Sequence, residues 1–122
     1  MKALQNKADI WYLGHSGFAI RTASHFCIFD YYHDKPIAVT RTLDAGVIEP
    51  KEIQQHSVLT FVSHRHADHF NPLIFDWQNK LPRIHYILSA DIPASYQGKQ
   101  TSIMKPGETL HIDNATIETL ES

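Results

Sequence analysis

The sequence predicts a single mixed α/β domain built on a largely buried sheet, and three observations carry that expectation. Val58-Leu59-Thr60-Phe61-Val62 is a nearly unbroken apolar run, the pattern of a strand covered on both faces. Strand-like and helix-like segments alternate around that run. With 122 residues, 43% of them hydrophobic and 20% charged, the chain has the size and composition of one globular domain and is too apolar for disorder.

Ile10-Trp11-Tyr12-Leu13 is rich in β-branched and aromatic residues and reads as the first strand. Gly14-His15-Ser16-Gly17 breaks it. Phe18 to Thr22 and His25 to Phe29 are the next two strands, joined tightly through Ala23-Ser24, so the domain opens as a β-meander. Asp30 ends the third strand. Tyr31 to Val47 carries turn residues and little periodicity and reads as a long loop. Glu49-Pro50 starts a short helix reaching His56, with proline in its first turn. The Val58–Val62 strand follows.

Asn71-Pro72 is a strong helix opening, asparagine as N-cap and proline at the first helical position. That helix runs to about Lys80, and Pro82 blocks its extension. Ile84 to Leu88 is another strand and Asp91 to Gly98 is irregular. Ser102–Met104, Thr109–Ile112 and Thr116–Leu120 read as short strands, with turns at Pro106-Gly107 and Asp113-Asn114.

Composition excludes several classes. A net charge of -2 without a Lys/Arg cluster argues against nucleic-acid and anionic-membrane partners, leaving a small-molecule substrate. Met1 to Asp9 is polar and lacks the apolar stretch of a signal peptide or membrane span. One cysteine, Cys27, permits no internal disulfide and fits a reducing cytoplasm.

The densest chemistry lies directly after the buried strand, in Ser63-His64-Arg65-His66-Ala67-Asp68-His69-Phe70. In a helix, residues two apart point roughly 200° away from each other, so His64 and His66 could not share an ion there. In extended backbone they point the same way, and His64, His66 and Asp68 then share a side. The turn into the Asn71 helix can swing His69 around. His64 and His66 are the natural pair for one ion. Asp68 and His69 are placed to serve a second, or to do acid–base work beside the first. Imidazole nitrogen and carboxylate oxygen suit zinc, with Mn2+ or Fe2+ as alternatives. Such a metal lowers the pKa of bound water toward ~7, the chemistry of hydrolysis. A histidine-rich surface loop is the plainer alternative, and the position after an interior strand argues against it.

His64-x-His66-x-Asp68-His69 resembles the HxHxDH motif of the metallo-β-lactamase superfamily. Leu13-Gly14-His15-Ser16-Gly17 is similar to that family's opening turn, Ile28-Phe29-Asp30 to its strand ending in aspartate, and Met104-Lys105-Pro106-Gly107-Glu108 to a later turn. The Gly-His-Ser-Gly form resembles the ascorbate-phosphate lactonase-like branch. The resemblance runs along nearly the whole chain but covers only the first half of the family's αβ/βα sandwich, a mixed sheet with helices on one face.

It implies a metal-dependent hydrolase that uses metal-activated water on an ester, lactone, amide or phosphodiester. His64 and His66 would bind the first of one or two zinc ions. Asp68 and His69 would bind the second, with Asp68 also moving protons near the attacking water. Asp30 would orient a ligand or the cluster loop, and His15 would sit at the rim of the substrate pocket. Family members add two histidines and a bridging aspartate later in the chain. After Phe70 this sequence offers only His85 and His111, neither in the expected context. Residues 1–122 therefore read as a truncated domain, an N-terminal fragment. The alternative function is a non-catalytic half-domain that binds metal or a partner chain. Half a sandwich leaves a sheet face bare, so self-association is expected. His25, His56, His85 and His111 read as surface residues, Cys27 as a buried inert thiol, and Asp91 as an outlying candidate for the pocket edge.

Overall fold

A computed structural model describes residues 7–98 and 100–120. Asp9–Tyr12 (β1), Phe18–Arg21 (β2) and Phe26–Phe29 (β3) form the expected antiparallel meander. Val58–Val62 (β4), Ile84–Ser89 (β5) and Thr101–Met104 (β6) then pair in parallel, giving one six-stranded mixed sheet in sequence order. Thr109–Ile112 (β7) and Ala115–Glu118 (β8) make a separate hairpin. Its turn residues Asp113 and Asn114 take φ of 46° and 65°, the left-handed pair that a primed two-residue turn requires.

The two faces of the sheet are covered differently. Phe26, Ile28, Val58, Val62, Ile84, Tyr86 and Leu88 pack on one face against Ile48, Ile53, Ile74, Trp77 and Leu81 from the helical and loop segments. On the other face Leu59, Ile87 and Met104 meet Leu110, Ile112, Ala115 and Ile117 of the hairpin. The hairpin stops short of the meander. A cross-strand row, Tyr12–Phe18–Phe29–Phe61–Ile87, runs along this face. Its Phe29 and Phe61 rings stack at 4.6 Å, while Tyr12 is 60% and Phe18 41% exposed.

The helical segments depart from expectation. Pro72–Asn79 is helical and capped by Asn71, whose Oδ1 accepts from the Leu73 N–H at 3.1 Å. It winds as a 3₁₀ helix, whereas an α-helix is the form most sequences prefer. The buried Tyr86 hydroxyl donates at 2.6 Å to the Ile74 carbonyl, the acceptor an α-helix would give to the Gln78 N–H. The helix expected from Pro50 to His56 is a single 3₁₀ turn, Pro50–Glu52. Ile53 leaves helical geometry at φ -125° and is buried in the core, so packing overrides the local signal.

The long connection after β3 is irregular as expected, yet it is stapled to the core. The buried Tyr31 hydroxyl donates to Asp34 at 2.6 Å and accepts from the Ile48 N–H at 3.0 Å. Arg41 holds the same carboxylate at 2.7 Å. Burial, together with the Asp34 contact, pushes the Tyr31 phenol well above its usual pKa. His25 corrects an expectation of exposure. It is buried, with Nδ1 3.0 Å from the Ser24 hydroxyl and Nε2 unpartnered, because the Thr22–His25 turn closes on itself. Cys27 is half-buried, and burial raises its thiol pKa. Among the described residues, no helix is long and apolar enough to cross a membrane.

Candidate metal centre

Because β3 and β4 run parallel, their carboxyl ends lie at the same edge of the sheet, where α/β sheets place their sites. Asp30 follows β3 and the histidine cluster follows β4. The Asp30 N–H donates to the Phe61 carbonyl at 2.9 Å, and the residue turns out of the strand at φ 48°. An aspartate tolerates that left-handed conformation better than most residues. The Gly-His-Ser-Gly turn packs against it: a Cβ on Gly17 would lie 3.2 Å from the Asp30 carbonyl oxygen.

The Asp30 carboxylate reaches three groups. Oδ1 accepts from the Ser63 N–H at 2.7 Å. Oδ2 accepts from the Ser63 hydroxyl at 2.6 Å and faces His69 Nδ1 at 3.0 Å. On the far side of the loop, Asp91 accepts from the Arg65 N–H at 3.1 Å and from the Ser89 hydroxyl. Desolvation works upward on the Asp91 pKa, but the Ser89 and Arg65 hydrogen bonds outweigh it and hold the carboxyl below its ordinary value. The loop carrying the cluster is thus tied down at both edges.

Between these ties the cluster closes on itself. A 3₁₀ turn over Ala67–His69 swings His69 inward, and its ring centroid lies 3.8 Å from that of His64. His66 meets His64 edge-on at 4.8 Å. His64 therefore has His69 as its nearer ring neighbour, where extended spacing alone favoured His66. Asp68 is more than half exposed, with Oδ2 3.6 Å from His69 Nε2. Among the described residues, no three His, Cys, Asp or Glu side chains stand in a finished metal-binding arrangement.

The donors still fit a transition metal. Tetrahedral bonds of ~2.1 Å separate neighbouring ligand atoms by about 3.4 Å, close to the 3.6 Å between Asp68 and His69. His69 also has the carboxylate on its second nitrogen that metal-bound histidines commonly have.

His15 stands apart from the cluster. Its ring packs edge-on against Tyr32 at 5.0 Å and near His33 at 5.9 Å. These three line an open hollow of about 500 Å³ with Asp34, Lys35, Asn71 and Leu73. The hollow shares its backbone with the cluster, since Asn71 follows His69 by two residues and donates from Nδ2 to the Tyr32 carbonyl at 3.0 Å. A larger apolar groove, about 700 Å³, runs between the sheet and β8 and reaches Ser63, His64 and Asp91. His85 and His111 lie away from the centre. His85 Nε2 is 2.8 Å from the Ser102 hydroxyl, and His111 Nδ1 is 3.2 Å from that of Thr116. Sequence reasoning missed Ser63, whose only signal was its place immediately before the cluster.

No protein-family model and no curated protein matches the chain. A solved structure does match: Igni18, a novel metallo hydrolase from the hyperthermophilic archaeon Ignicoccus hospitalis KIN4/I. The likeness has a TM-score of 0.56 and 18% sequence identity, and it covers 88% of this chain. The chain spans 44% of that structure's length. At this identity the likeness establishes the fold, a mixed α/β sheet of the kind found in part of a metallo-hydrolase domain.

Proposed function

We propose that this chain supplies the first half of a metal-dependent hydrolase, with His64, His66, Asp68 and His69 as its metal ligands. The observation that carries this reading is the Asp30–His69 contact. A carboxylate only accepts, so Nδ1 of His69 holds the proton and Nε2 presents its lone pair to the cluster. Zinc suits this donor set, as one or two ions, with Mn2+ or Fe2+ as alternatives. When bound, such a metal activates water toward an ester, lactone, amide or phosphodiester.

The chain's own residues divide the remaining work. Asp30 and Asp91 hold the loop. Asp68, exposed beside His69 Nε2, is placed to take a proton from the attacking water. His15, Tyr32 and His33 offer the neighbouring hollow to a small-molecule substrate. The ligands still needed come from a second half, and the 44% span of the matched structure supports that division.

A second reading, a non-catalytic half-domain that binds metal or a partner chain, is favoured by one observation. Ile10, Tyr12 and Phe18 leave the meander end of the sheet bare. A partner chain or another copy of this chain would cover it.

Metal retention tests the proposal. Titrated with zinc, the chain should hold the metal weakly, and His66→Ala or Asp68→Ala should weaken that retention further. Equal retention in all three would refute the ligand assignment. Zinc-dependent turnover of an ester, lactone, amide or phosphodiester panel by this chain would exclude the non-catalytic reading.

A further inference from the structure

We infer that Ser63 is a positioning residue that extends the hold of Asp30 from His69 to His64. The inference deepens the metal-centre reading and rests on it for its consequence, but its geometry stands independently. The Ser63 hydroxyl lies 2.6 Å from Asp30 Oδ2 and 3.0 Å from His64 Nδ1. A hydroxyl has one proton to give, and an ionised carboxylate can only accept. The shorter contact therefore takes that proton to Asp30. Toward His64 the hydroxyl oxygen can then only accept, so Nδ1 of His64 carries the hydrogen. Its Nε2 is left as a lone pair, as Nε2 of His69 is through its direct contact with the same Oδ2.

One carboxylate thereby sets the tautomer of both rings, whose centroids lie 3.8 Å apart. The backbone contributes as well. The Ser63 N–H bound to Asp30 Oδ1 fixes the point where the chain leaves β4. Serine is suited to this place because its hydroxyl sits one bond from Cβ, short enough to bridge a carboxylate and the ring of the adjacent residue. Threonine keeps that hydroxyl, and alanine removes it while leaving the backbone N–H bond to Asp30.

The test uses the whole chain without metal and then with zinc alone. Imidazole 15N resonances of His64 are recorded at about pH 8, above the ordinary histidine pKa of ~6.5. Wild type and Ser63→Thr should show His64 protonated at Nδ1. Ser63→Ala should shift His64 toward the Nε2-protonated form, leaving His69 as in wild type. On zinc titration Ser63→Ala should bind about 10–100-fold more weakly, and Ser63→Thr should restore the affinity. An Nε2-protonated His64 in wild type, or resonances unchanged by Ser63→Ala, would overturn the inference. If wild type bound no zinc, the metal-centre reading would fall, and the metal-free resonances would still decide the role of Ser63.

Discussion

The two faces of the six-stranded sheet obey different rules. On the helical face Ile28, Val58, Tyr86 and Leu88 are enclosed by Ile48, Ile74 and Trp77. On the hairpin face β7 and β8 cover only the β4–β6 end, and Tyr12 and Phe18 stand in solvent. The larger buried cluster lies on the first face. The second leaves Ile10, Tyr12 and Phe18 exposed beyond the hairpin. The candidate metal centre sits at the sheet edge where both faces end, held by residues that directly follow β3 and β4.

This contrast can be broken most strongly at Trp77. Trp77→Ala removes a side chain 4% exposed at the middle of the closed core and should destabilise the fold by about 3–5 kcal/mol in urea unfolding. A loss below ~1 kcal/mol would show that the helical face does not carry the fold.

At the shared edge, Asp30→Asn keeps the side chain's shape but removes the charge that binds Ser63 and His69. Zinc affinity should fall about 10–100-fold, measured by calorimetry. Unchanged affinity would detach the metal centre from the carboxylate.

A smaller effect depends on pH. His85 projects to the hairpin face, and burial lowers its pKa below the ordinary imidazole value. The folded state therefore binds this proton less readily than the unfolded chain does. The resulting stability is present above about pH 6.5 and declines as pH falls from there toward the folded pKa. His85→Asn should flatten that limb in unfolding midpoints taken across the range. His56, lowered chiefly by desolvation and also by Arg21 and Arg83, adds a component of the same sign.

The smallest stability change belongs to the bare face. Phe18→Ala should alter unfolding by less than ~0.5 kcal/mol. It should nonetheless reduce self-association on size exclusion at high concentration. Destabilisation comparable to Trp77→Ala would mean that this face is already structural.

The strands were legible in the sequence because their signals are local. β4 declares itself by an apolar run, and the β7–β8 turn by Asp113-Asn114. The cluster was legible for the same reason, since four ligand-type residues fall within six positions. What stayed hidden depends on partners distant along the chain. The hydroxyl that occupies the Ile74 carbonyl comes from Tyr86 on β5, and the role of Ser63 answers to Asp30, 33 residues earlier. A turn that swings His69 around was expected, but not that it would bring His69 nearer to His64 than His66 lies. His25 was misread because burial at a turn leaves no mark in periodicity.

Zinc K-edge X-ray absorption on the zinc-loaded chain tests the central claim most directly. Nitrogen and oxygen neighbours are expected at about 2.0–2.1 Å with imidazole multiple scattering. That signature should disappear in the His64→Ala/His69→Ala double variant. A shell without imidazole, or one unchanged in the double variant, would contradict that claim.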